Sequence, residues 1–368
     1  MMNFFQQKGR EFMDTYQKLN SKKSNSTCMY GDCAKKAINS HCFSESSALG
    51  KIAENGKLIT ATFKRDDKAD FREATFDEVG IHNASTFKGF CHEHDSLFYP
   101  IDTAGIKTHR DIFLQLYRSA CHSCFTDNIF NNSELKTFGK NILHNPRYED
   151  MKNISHLKMV ELFFDLLHDF EELNTPIIIP PNSSYTIEPF SKKVDIDIRI
   201  LIRKLNFAVP VTFQNNLTLN LDGIVFDLIF IVIPFEDTSL IIAASDKSQI
   251  KLIHNMLNKD ISALNLVESM FMNDANFFLS KKIFNLWQED RKKAIANDYK
   301  FINERHLFEE YDISLFDEIR MSLIKKSTSP INNEYKKMTQ LPLRKDFHIR
   351  EEEMNLSFLK DKSFRLKF

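Results

Sequence analysis

The feature that most constrains this chain is a stretch whose ligating side chains are spaced for one metal ion. It comprises Cys28-Met-Tyr-Gly-Asp-Cys33, Ala37-Ile-Asn-Ser-His41 and Ser85-Thr-Phe-Lys-Gly-Phe-Cys91-His-Glu-His94-Asp95. Two thiols with four residues between them, followed by a Cys-x-x-His pair, supply the sulfur and nitrogen donors of a closed tetrahedral zinc site. The spacing predicts that Cys28, Cys33, Cys91 and His94 bind Zn2+. Cys42 and His92 stand close enough in sequence to replace one of the four.

The rest of the composition fits a reducing setting. Six cysteines in 368 residues, behind an N-terminus with no apolar signal core, point to thiols kept for metals rather than disulfides and to a cytoplasmic location. The most apolar run, 223–235, is interrupted by Asp227 and Pro234. It falls short of the roughly 18 residues of a membrane span and reads as a buried strand. With 49 basic against 50 acidic residues, a histone-like polycation is excluded. Contact with DNA or RNA would need a local patch, for which Lys22, Lys23, Lys35 and Lys36 are candidates.

Along the chain, Phe4, Phe5, Phe12, Tyr16 and Leu19 predict a short helix and linker over 1–26. Residues 27–105 form the metal module with an insertion, in which the Asn55-Gly56 turn leads into a strand from Leu58 to Phe63. Two helices are expected over 106–175, from the apolar spacing of Ile112, Phe113, Leu116, Tyr117 and Ala120 and of Met159, Val160, Phe163, Leu167 and Phe170. The prolines of Pro176-Ile-Ile-Ile-Pro-Pro181 mark a boundary. Beyond it, strands over 194–200, 209–213, 217–221, 224–233 and 239–243, joined by turns at Asn215-Asn216, Asp222-Gly223 and Glu236-Asp237, predict an antiparallel meander. Helices follow over 249–257 and from Leu264 through Phe271, Phe278, Phe284 and Trp287, closing a domain of 176–298. A charged, partly helical and loosely packed tail is expected over 299–368, and the C-terminal domain is a candidate surface for a protein partner. The fold class is therefore α+β.

The order Cys28, Cys33, Ser40-His41, Cys91-x-x-His94-Asp95 resembles the treble-clef zinc modules of the HNH endonuclease superfamily, over about residues 27–100. The resemblance implies a structural zinc on Cys28, Cys33, Cys91 and His94, with His41 as general base. It makes Asp95 the ligand of a catalytic Mg2+ or Mn2+ ion in phosphodiester hydrolysis of DNA or RNA. It also implies a place in prokaryotic defence or mobile-element systems. The chain departs from the family at Ser40, where Asp or His is usual, and in the central Asn, for which Asn83 is an approximate match. The alternative reading is a non-catalytic zinc scaffold that binds protein or nucleic acid.

Two other constellations carry less. Cys121-His-Ser-Cys124 falls inside an apolar helical pattern, where thiols three apart pack in a core. Asp195 and Asp197 alternate with Val194, Ile196 and Ile198, as on a solvated strand face.

Overall fold

The computed structural model describes residues 26–65, 72–138, 156–189, 197–221, 224–235, 237–273, 275–326 and 332–360, with a few isolated positions before residue 26. Most of the expected N-terminal helix, with Phe4, Phe5, Phe12 and Tyr16, lies outside them, as do Lys22, Lys23 and Asp195. The strands are β1 (Asn39–His41), β2 (Lys57–Arg65), β3 (Arg72–Gly80), β4 (Thr86–Lys88), β5 (Ser183–Ile187), β6 (Ile198–Lys204), β7 (Val211–Leu221), β8 (Ile224–Phe235), β9 (Thr238–Asp246) and β10 (Asn276–Leu279). The helices that matter to the argument are α1 (His92–Asp95), α2 (Tyr99–Ala104), α3 (His109–Phe138), α4 (His156–Asp169), α5 (Lys247–Met256), α6 (Asp260–Phe271), α7 (Lys281–Leu286), α8 (Glu289–Lys300), α9 (Asp317–Lys326), α10 (Asn332–Thr339) and α11 (Phe347–Lys360).

The architecture is α+β, with an eight-stranded antiparallel sheet in the order β3-β2-β10-β7-β8-β9-β6-β5 packed with helices. Both faces of the sheet are covered, which is why β8 is apolar at every position from Leu228 to Ile233. Ile229, Ile231 and Ile233 bury on one side, and Leu228, Phe230 and Val232 on the other. Each such burial contributes roughly 1.5–3 kcal/mol. The first face packs against the metal module, α3 and α4 through residues such as Phe43, Phe87, Phe113 and Phe163. The second packs against α5, α6, α8 and α9 through Ile250, Leu264, Phe271, Ile295 and Leu323.

Several local choices explain these elements. The Asn55-Gly56 turn takes positive φ at both residues and is closed by Glu54 and Lys57, which exchange backbone hydrogen bonds of 3.0 and 2.9 Å. This fixes the reversal that leads into β2. The Asp111 carboxylate accepts the Lys107 and Thr108 amide N–H bonds at 2.9 and 2.8 Å and caps the start of α3. Asp246 works from the other side of the boundary: it precedes α5 and accepts the Ser248 and Gln249 amides within it.

The structure differs from the sequence expectations at three places. Asn215 and Asn216 form no turn: β7 runs through them, and Asn215 Nδ2 donates to Asn273 O at 2.5 Å while its Oδ1 is buried without a partner. Phe278 belongs to strand β10, not to a helix; β10 pairs with β2 and β7 and joins the insertion hairpin to the meander. Phe277 and Phe278 bury on opposite faces, and a short apolar run of that kind has no period that separates strand from helix. Nor are the described residues between 299 and 350 loosely packed. Tyr311, Ile313, Leu315 and Phe316 lie in the core, and Arg344 and Arg350 both reach the buried Asp298 at 2.9 Å.

Candidate metal centre

The centre is assembled from two turns far apart in sequence. Around Cys28, the Cys33 amide donates to Tyr30 O at 3.1 Å, and Gly31 takes a φ of 49° that a side chain would strain. A Cβ on Gly31 would also meet the Phe164 ring at 3.2 Å. The second turn puts Cys91 in extended conformation just ahead of α1, with the Asp95 amide donating to Cys91 O at 2.8 Å. The Met29 amide donates to Gly89 O at 2.8 Å and the Ile38 amide to Phe90 O at 2.7 Å, so the backbone itself locks the two turns together. Gly89 is required here because a Cβ would fall 2.4 Å from the buried Phe87 ring.

As a result, the ligand atoms of Cys28, Cys33, Cys91 and His94 all lie within 4.8 Å of one another. His94 Nδ1 stands 3.3 Å from Cys28 Sγ and 3.4 Å from Cys91 Sγ. The edge of a tetrahedron with zinc bonds of about 2.1–2.3 Å is roughly 3.6–3.8 Å, so the set closes on an ion with shifts of tenths of an ångström. Three soft thiolates and one imidazole favour zinc over hard cations. Among the described residues no other group of three or more His, Cys, Asp or Glu side chains is so assembled.

The surroundings hold the ligands in place. Tyr30 stacks on His94 with ring centroids 4.2 Å apart, and its hydroxyl bonds His168 Nε2 at 3.1 Å. The Tyr117 hydroxyl donates to Met29 O at 2.8 Å, and an ion pair of Lys35 with Glu93 bridges the two turns. Without metal, burial pushes the Cys28 thiol up to about 11. The His94 amide at the start of α1 pulls Cys91 down. Metal binding therefore releases a proton from Cys28 that burial otherwise retains.

The competing donors are placed elsewhere. Cys42 is fully buried, donates to Gln214 Oε1 at 2.9 Å and is raised to about 12 by burial. His92 is exposed at the start of α1. Cys121 and Cys124 are buried along α3, with burial raising both thiols. Asp197 is exposed and paired with Arg199.

His41 ends β1, which pairs with β4 so that His41 faces Thr86 across the ladder. Its Nδ1–H donates to Ala84 O at 2.9 Å, and burial lowers its pKa despite the nearby Glu45 carboxylate. Asp95 ends α1 and is raised by burial, an effect opposed by a hydrogen bond from Ser40 and by the charges of Arg118 and His41. Ser40 is fully buried, and its Oγ also accepts the Phe90 amide at 3.1 Å. The hairpin and α1 thus place His41 and Asp95 within electrostatic reach of each other.

Sequence reasoning missed three members of this neighbourhood. Glu45 Oε2 lies 3.9 Å from His41 Nε2, and Arg118, buried on α3, pairs with Asp102 at 2.9 Å. Only Glu45, four residues after His41, had a local signal. Arg118 and Asp102 arrive through the packing of α2 and α3. Compared with protein-family models, curated proteins and solved structures, the chain matches none, so its function is argued from this geometry.

Proposed function

We propose that Cys28, Cys33, Cys91 and His94 hold a structural zinc ion, and that the hairpin and helix joined there form a hydrolytic site for phosphodiester bonds of DNA or RNA. The zinc assignment is supported by the four ligand atoms within 4.8 Å. The observation that carries the hydrolytic reading is the state of His41. Its Nδ1–H is committed to Ala84 O, which leaves a lone pair on Nε2, and burial keeps the ring neutral near pH 7. A neutral, oriented imidazole is what a general base for water requires. A Mg2+ or Mn2+ ion bound at Asp95 would polarise the scissile phosphate.

A second reading, a non-catalytic zinc scaffold for protein or nucleic acid, is favoured by one observation: Ser40 is buried and its hydroxyl occupies Asp95. The two are separated by assaying plasmid DNA, single-stranded oligonucleotides and RNA with Mg2+ or Mn2+. His41→Ala should lower cleavage about a hundred- to ten-thousand-fold with zinc content and Tm unchanged, and Asp95→Ala should weaken the dependence on divalent ion. Wild-type protein that cleaves none of these substrates establishes the scaffold.

A further inference from the structure

The hydrolytic reading leaves one problem of acid–base geometry: His41 has a free nitrogen, but Ser40 cannot help to hold the attacking water. Its side chain is fully buried and spent on the Phe90 amide and Asp95. The carboxylate that does face His41 Nε2 is Glu45, at 3.9 Å. That distance is too long for a direct hydrogen bond, whose N–H···O length is about 2.7–3.2 Å. It suits one water in contact with both groups, each about 2.8 Å away. The side chains of His41 and Glu45 are 24% and 31% exposed, so both are within reach of solvent.

Glu45 is also held in position. Its other carboxylate contact is His82 Nδ1, in the turn Ile81–Asn83, at 2.9 Å to the more distant oxygen. Its backbone is fixed by a tight turn in which the Leu49 amide donates to Ser44 O at 2.9 Å and the Gly50 amide to Glu45 O at 2.7 Å. Any Cβ on Gly50 would lie 2.8 Å from Glu45 O, so the turn needs glycine there.

We propose that Glu45 is a second catalytic residue of this site, holding with His41 Nε2 the water that attacks the phosphodiester. The inference rests on the hydrolytic reading. One water proton points to the His41 lone pair and the other to the Glu45 carboxylate, which directs an oxygen lone pair at phosphorus. As the new O–P bond forms and the bond to the leaving oxygen breaks, the first proton passes to Nε2. The leaving oxygen takes a proton from solvent, and the imidazolium returns its proton to solvent. The anionic Glu45 stabilises the imidazolium while it exists. Asp95 and Asp102 act on the ring in the same direction, and Arg118 in the opposite one.

The test is Glu45→Gln in the full-length, zinc-loaded chain, beside His41→Ala, with plasmid DNA or RNA and Mg2+ or Mn2+. Glu45→Gln should keep the zinc content and Tm and lower kcat, by less than the about hundred- to ten-thousandfold expected when the base itself is removed in His41→Ala. It should also move the acidic limb of the pH–rate profile to lower pH, because His41 loses its nearest anion. Glu45→Asp should recover part of the rate. If His41→Ala is inactive while Glu45→Gln retains full kcat and an unshifted profile, this proposal falls and the hydrolytic reading stands. If wild type cleaves nothing, both fall.

Discussion

The two faces of the central sheet are covered in different ways. One face carries the metal module, whose ligands are flanked along the chain only by strands of three residues and a helix of four. Elements so short cannot bury enough apolar area to stand alone, and they are held by backbone bonds between distant turns and by the ligand set. The other face carries α5, α6, α8 and α9, packed on a continuous apolar cluster and threaded by an ion pair between Glu268 and Arg320, both fully buried. Its helices need no metal, but they contain charges that cannot be left unpaired. A stable sheet can thus support a face whose short elements converge on four potential metal ligands.

Removing the metal breaks the comparison most strongly. Structural zinc contributes about 10–16 kcal/mol in isolated zinc-finger peptides, so Cys91→Ala or chelation should open residues 26–53 and 84–104 to hydrogen exchange while β8, β9 and α6 stay protected. Exchange mass spectrometry with elemental analysis reads both; uniform loss of protection would show that the faces are not separable. Next in size is Glu268→Gln, whose remaining oxygen can still accept the Leu315 and Phe316 amides but whose NH2 group then faces the buried Arg320 guanidinium in place of a carboxylate oxygen. It should cost about 3–5 kcal/mol in denaturant unfolding with one zinc per chain retained.

Smaller effects sharpen the contrast within the metal-bearing face. Cys121→Ala should cost about 1 kcal/mol and leave zinc content intact, because Cys121 is buried on α3 and is not one of the four converging ligands. Equal zinc loss in Cys121→Ala and Cys91→Ala would mean a different set of ligands. His122 accepts from Gln214 Nε2 at 3.1 Å, and burial lowers it from 6.5 to about 4. Between those values the unfolded chain takes up a proton that folded His122 refuses. Its contribution is full above pH 6.5 and is lost as pH falls toward 4. His122→Gln should therefore show a flatter loss of stability than wild type across that window, measured as Tm against pH.

Much of the metal centre was legible in the sequence because ligand chemistry restricts it to few residue types at short spacings. Cys28 with Cys33, and Cys91 with His94, are each local pairs that a turn can bring together. The spacing favoured Cys33 over Cys42, which lies nine residues further on, and the sheet holds Cys42 apart by giving it a buried acceptor in Gln214.

The sequence by itself determined the elements whose signal is local: the Asn55-Gly56 reversal, the apolar periods of α3 and α4, and the buried run of β8. Tertiary structure alone decided how these meet. It placed β10 between the insertion hairpin and β7, paired β6 with β9 instead of β7, and buried part of the C-terminal segment. It also brought Arg118 and Asp102 toward His41 and turned Ser40 inward. The physical reason is that pairing and burial depend on which surfaces remain uncovered once other elements have packed, and no window of the sequence contains that information.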